Sequence, residues 1–176
     1  MNALLIYLIV LRIVHIAGGT AWLGGAIIYG MFVEPTVKAT APGSQQFMHY
    51  FIVRRHYPTY MTVTSLATIL SGALLLWHGS SGLDPHWLTS GPGVILTIGS
   101  VLGIIALCMG LFIMSPIAKR MMGLGQAIQA ADGPPLPEQM NELHQLETKL
   151  SQVGRTEFML MLGSLLTMAT ARYWLF

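Results

Sequence analysis

At 176 residues the chain has the length of a single domain, yet 53% of it is hydrophobic and only 9% is charged, where water-soluble domains carry about a quarter charged residues. Nine Lys and Arg with seven Asp and Glu cannot cover a globular surface in water, and the mean hydropathy of +0.62 points to lipid instead. The net charge of +2 comes from basic residues scattered singly or in pairs, which excludes nucleic acid as a partner, and the lone Cys108 excludes an internal disulfide and every multi-cysteine metal framework.

Crossing roughly 30 Å of hydrocarbon as a helix takes about 20 apolar residues. Residues 4–33, 58–77, 93–116 and 158–174 meet that need. The expected fold is all-α, one transmembrane domain over residues 1–176 built as an integral membrane four-helix bundle in the lipid bilayer. The first stretch is too long for a secretory signal, contains Arg12 and His15 and lacks a clean cleavage site, so it is expected to stay as a span.

The first loop breaks the helix at Glu34-Pro35 and again at Ala41-Pro42-Gly43-Ser44, then runs from Phe47 to His56 as an amphipathic surface segment before Pro58 opens the second span. The third span is expected to extend as helix from Lys119 to Ala131, to turn at Asp132-Gly133-Pro134-Pro135, and to resume from Glu138 to Val153. Leu143, Leu146, Leu150 and Val153 recur there at helical spacing, so the two extensions pair as an antiparallel hairpin. Lys38, Arg54 and Arg55 lie in the first loop and Lys119, Arg120, Lys149 and Arg155 in the last, while the connection 78–92 has neither Lys nor Arg. By the bias of basic residues toward the cytoplasm, both charged loops are cytoplasmic and both termini are outside.

An ionisable side chain within a span is costly unless it is paired or lines a site. His15 is therefore the first residue to explain. Arg12, three positions before it, and Trp22, seven after it, share its helical face, and Gly18, Gly19, Gly24 and Gly25 lie between or near them. Such a face admits either another helix or a flat ligand. In the second span Thr64, Ser71 and His78 are seven apart, with Thr68 near the same line; in the fourth, Met161, Ser164, Met168 and Arg172 form a further stripe. The outer half thus collects two histidines, two arginines and a methionine, against boundary residues Glu34, His56 and Glu157 in the inner half.

A b-type haem needs one or two axial donors, an apolar slot and cations for its propionates. His15 and His78 are the expected axial pair, with His86 and Met168 as rivals for the second place. Arg12 and Arg172 are expected at the propionates, and Gly18, Gly19, Trp22 and Ser71 along the slot. Copper is the competing chemistry, since Cu(I) takes thioether and imidazole donors and the chain has twelve methionines and six histidines; His15, His78 and Met168 are the set it implies. Met109, Met114, Met159 and Met161 read as packing. Cys108 sits mid-span and reads as inert, Gly99 and Gly103 as a helix contact, and Arg54-Arg55-His56 as a headgroup anchor.

The stretch Leu11-Arg12-Ile13-Val14-His15-Ile16-Ala17, followed by Trp22-Leu23-Gly24-Gly25 and by Tyr29, Phe32 and Val33, resembles the first helix of a bacterial membrane superfamily that includes HemJ-type protoporphyrinogen oxidases and CopD-like copper-resistance domains. The resemblance continues through Arg54-Arg55-His56-Tyr57 and covers about the first 80 residues. It implies a haem-binding four-helix protein of the bacterial cytoplasmic membrane, with His15 in the position of the haem-ligand histidine. The oxidases' basic residue near the start of the third span has no counterpart in Leu88-Thr89-Ser90-Gly91-Pro92-Gly93, so porphyrinogen oxidation is not the expected activity. The expected function is electron transfer by a haem b protein, alone, as a homo-oligomer or beside other membrane redox subunits. Copper transport or delivery is the alternative, and a non-catalytic structural subunit the third reading.

Overall fold

The computed structural model describes residues 2–40, 43–131 and 134–176. Every regular element among them is helical. α1 (Ala3–Ile28) passes through a π turn at Tyr29–Val33 into α2 (Glu34–Ala39). A short helix, α3 (Gln45–His49), ends in a second π turn at Tyr50–Arg54, and α4 (Tyr57–Gly79) follows. After the small α5 (Pro85–Leu88), α6 (Gly91–Met109) runs through a third π turn at Gly110–Met114 into α7 (Ser115–Ala130), and α8 (Pro137–Thr170) is one unbroken rod. Ala41, Pro42, Asp132 and Gly133, parts of the two expected loop turns, lie outside the described residues.

Three helices are long and apolar enough to cross a membrane: Ala3–Ala39, Tyr57–Gly79 and Gly91–Ile128. The fourth expected span, 158–174, takes in the last part of α8 and runs past its end. The part of α8 before it carries Glu138, Glu142, Glu147, Lys149 and Arg155, and the helix stops at Thr170 before a single tight turn, Ala171–Tyr173.

Pro35 and Pro116 both lie within continuous helix, which corrects the expected break at Glu34-Pro35. A proline ring collides with the carbonyl four residues back and has no N–H to give it. For Pro35 that carbonyl belongs to Met31 and for Pro116 to Phe112, and each lies inside a π turn. The i→i+5 pattern opens the hydrogen-bond ladder where the proline cannot close it, so the helix continues.

The helices contact in two close pairs, α1 with α4 and α6 with α8, and α7 continues the second pair against the first half of α8. Arg120 Nε donates to Glu142 Oε1 at 2.7 Å across that extension, and Leu143, Leu146 and Leu150 are half-buried on it. The pairs meet at Trp22, Ala106 and Met161, with Ile69 packed beside them. Small residues set the close approach in the second pair: a Cβ on Gly99 meets Thr167 Oγ1 at 2.6 Å and Met168 Cγ at 2.9 Å, and Ser164 Oγ donates to the Gly99 carbonyl at 2.7 Å. Outward from this core lie large exposed side chains such as Leu70, Phe112 and Leu165, the lipid-facing surface that the composition requires.

Candidate functional site at the contact of α1 and α4

His15 is half-buried on α1, and its ring lies on α4. Nδ1 is 2.8 Å from the Thr68 carbonyl oxygen, and an acceptor there makes Nδ1 the protonated nitrogen. That tautomer leaves Nε2 with a free lone pair, the state in which an imidazole ligates a metal. The ring lies so close to Gly72 that a Cβ there would stand 2.7 Å from Cε1 and 2.9 Å from Nδ1. Gly72→Ala is accordingly expected to push the ring off Thr68 and to lower the stability of the helix pair by about 1–3 kcal/mol. Unfolding in detergent measures the loss, and any absorption that depends on His15 should shift with it.

The glycine face of α1 is closed by α4. A Cβ on Gly18 would meet Thr68 Oγ1 at 2.8 Å and the Thr64 carbonyl at 3.3 Å, one on Gly19 meets Thr68 Cγ2 at 3.5 Å, and one on Gly25 meets Met61 Sδ at 2.9 Å. Of the two occupants this face admits, a helix is the one present. Gly18 and Gly19, expected along a macrocycle slot, are contact residues of α4 here. Trp22 is 5% exposed in the central core with Ala106 and Met161, a packing position rather than a slot wall. Ser71 is buried, and its Oγ donates to the Ala67 and Thr68 carbonyls of its own helix, leaving no donor for a ligand.

The two imidazoles are held at different levels. His15 meets α4 at Thr68 and Gly72, while His78 packs edge-on against Tyr7 with centroids 5.4 Å apart. From Gly72 to His78 is six residues, roughly 9 Å of helix rise. The structure does not bring the expected pair His15 and His78 together: the register of the α1–α4 contact sets His78 beside Tyr7. His86 is exposed on α5, where its backbone N–H donates to the Asp84 cap at 3.3 Å. Met168 packs on Gly99 in the other helix pair.

The two arginines do not converge on a common acceptor. Arg12 is exposed, without a hydrogen bond or ion pair among the described residues. Arg172 is exposed in the terminal turn, where its Nη2 donates to the Tyr173 hydroxyl at 2.5 Å and its guanidinium stacks 4.7 Å from that ring. Among the described residues, no three His, Cys, Asp or Glu side chains come together as a metal cluster.

At the opposite end, sequence reasoning missed Glu157. It is 8% exposed, a buried acidic residue directly before the apolar part of α8. Its position extends the Met161, Ser164, Met168 stripe back by one turn, and that extension was the available signal. Comparison of the chain with protein-family models, with curated proteins and with solved structures gives no match.

Proposed function

We propose that the chain is a four-helix bundle of the bacterial cytoplasmic membrane with both termini outside, and that His15 is the axial donor of a b-type haem used in electron transfer. The bundle reading is supported by the two contacting helix pairs and by the apolar second half of α8; the orientation is supported by the Lys and Arg of the loops. The observation that carries the haem reading is the His15 Nδ1 bond to the Thr68 carbonyl, which fixes the tautomer and leaves Nε2 to ligate.

The fit to haem is partial. The imidazole suits an axial ligand, whereas the α1–α4 seam has no room for a macrocycle and His78 stands at another level. One protein ligand, not a bis-histidine pair, is what the residues support. Bound there, the iron would supply a one-electron couple tuned by the imidazole. The chain's own contribution is to hold the ring by Thr68 and Gly72.

A second reading is favoured by the same contact. His15 can serve wholly as a helix clamp, with no metal, in a structural subunit that docks partners through lipid-facing surface. Copper held by His15 is less well supported, because Met168 is engaged in the α6–α8 seam. Absorbance and metal content of protein purified from haem-replete cells separate the three. A Soret band that responds to reduction supports haem, copper without haem supports the second metal, and neither leaves the clamp.

A further inference from the structure

Among the described residues, Glu157 is an acidic residue held at low exposure that no ion pair explains. The ion pairs among the described residues are Lys38 with Glu34, Arg120 with Glu142 and His144 with Glu147. Glu157 forms none, and its carboxylate accepts no hydrogen bond among those residues. It is held at 8% exposure beside Gly110, where a Cβ would stand 3.1 Å from Oε1. A glycine is thus what admits the carboxyl into the seam of α6 and α8. That same glycine begins the π turn Gly110–Met114.

The surroundings are built, not incidental. The π turns at Tyr29–Val33 and Gly110–Met114 both contact α8, and the remaining one, Tyr50–Arg54, brings Phe51 to within 6.4 Å of Tyr29 and 4.6 Å of Tyr57, ring centre to ring centre. Widened turns of this kind recur at functional sites. The titratable groups facing this end are few. From α4, Tyr57 lies within electrostatic range of Glu157, but its hydroxyl donates to the Gly25 carbonyl at 3.0 Å. From the first π turn comes Tyr29, itself near Glu34 and Glu147. From α7, Arg120 is committed to Glu142, and on α8 itself Arg155 is exposed. No cation among the described residues pairs with the carboxylate, and a lone carboxylate without a second donor does not make a metal site. The ligand that neutralises it with one bond and no added volume is a proton.

We propose that Glu157 is an exchangeable proton-binding site, placed in the half of the protein opposite His15 and filled from water at the end of the helices where the π turns Tyr29–Val33 and Gly110–Met114 meet α8. Uptake forms one O–H bond on the Glu157 carboxylate and takes one proton from hydronium, leaving water; no electron moves. The inference does not depend on the haem reading, and its test reads no metal.

The experiment is infrared difference spectroscopy of the full chain in lipid nanodiscs across a pH titration, in H2O and in D2O. The expected result is a protonated-carboxyl C=O stretch that titrates and shifts down in D2O. It should be lost in Glu157→Gln, return at a new frequency in Glu157→Asp, and remain in Glu34→Gln and Glu142→Gln. Gly110→Ala presses a methyl on Oε1 and should move the band without abolishing it, which decides the assignment even where Glu157→Gln does not fold. A wild-type protein with no titrating carboxyl band, a band unaltered in Glu157→Gln or in Gly110→Ala, or one insensitive to D2O overturns the proposal.

Discussion

Replacing His15 by alanine is expected to abolish haem absorption and to lower the stability of the α1–α4 pair by about 2 kcal/mol, most of it lost packing. The hydrogen bond itself contributes little of this, since such bonds within bilayers average only about 0.6 kcal/mol. The Thr68 carbonyl also keeps a second donor in Ser71 Oγ at 3.1 Å. Asparagine at position 15 separates the two roles of the residue. Its amide N–H stands where Nδ1–H stood, so the bond to Thr68 survives and the loss in stability falls to about half, yet no nitrogen lone pair remains to ligate. Absorption should therefore vanish fully in both variants while stability is graded between them. Replacing His78, His49 or His144 should leave the spectrum intact. A spectrum that survives His15→Asn would remove His15 from the metal and leave it as a clamp.

Much of the helical framework was legible in the residues, because apolar runs of the required length mark spans almost independently of tertiary contacts. The second span, expected at 58–77, is the helix Tyr57–Gly79. Passage through Pro35 was not legible, since a π turn leaves the apolar pattern nearly unchanged while it removes the steric reason for a break. The glycine face of α1 was legible as a place of close approach but not as to its occupant. Gly18 pressed on Thr68 is a fact about two helices, and neither helix alone carries it. The level of His78 was not legible for the same reason, since the side chains at the α1–α4 crossing place it beside Tyr7. At the other end, hydropathy places Glu157 at the edge of a run and does not reveal its burial. Burial there depends on Gly110, on another helix, and no single-helix pattern reports it.

Trp22→Ala should be the most damaging packing change in the molecule. The two helix pairs are each held along their length, α1 by α4 and α6 by α8, and they meet at the cluster of Trp22, Ala106 and Met161 and where α4 touches α6. In lipid no hydrophobic force drives one helix onto another, so association depends on close packing and on the few polar contacts available. Ala106, at 0% exposure, has no side chain that can reach the space an indole leaves, and the flexible Met161 can fill only part of it, so the cost is set by the remaining cavity, about 3–5 kcal/mol. The consequence should be more specific than general weakening. With the joint emptied, each pair retains its own contacts, and unfolding in a denaturing-detergent titration should split from one transition into two. Trp22→Phe, which keeps most of the volume, should preserve a single transition. Trp77→Ala, at a site 53% exposed, should change little. A single unshifted transition in Trp22→Ala would mean that the halves are joined elsewhere, with Gly103 against Ile69 the next contact to test.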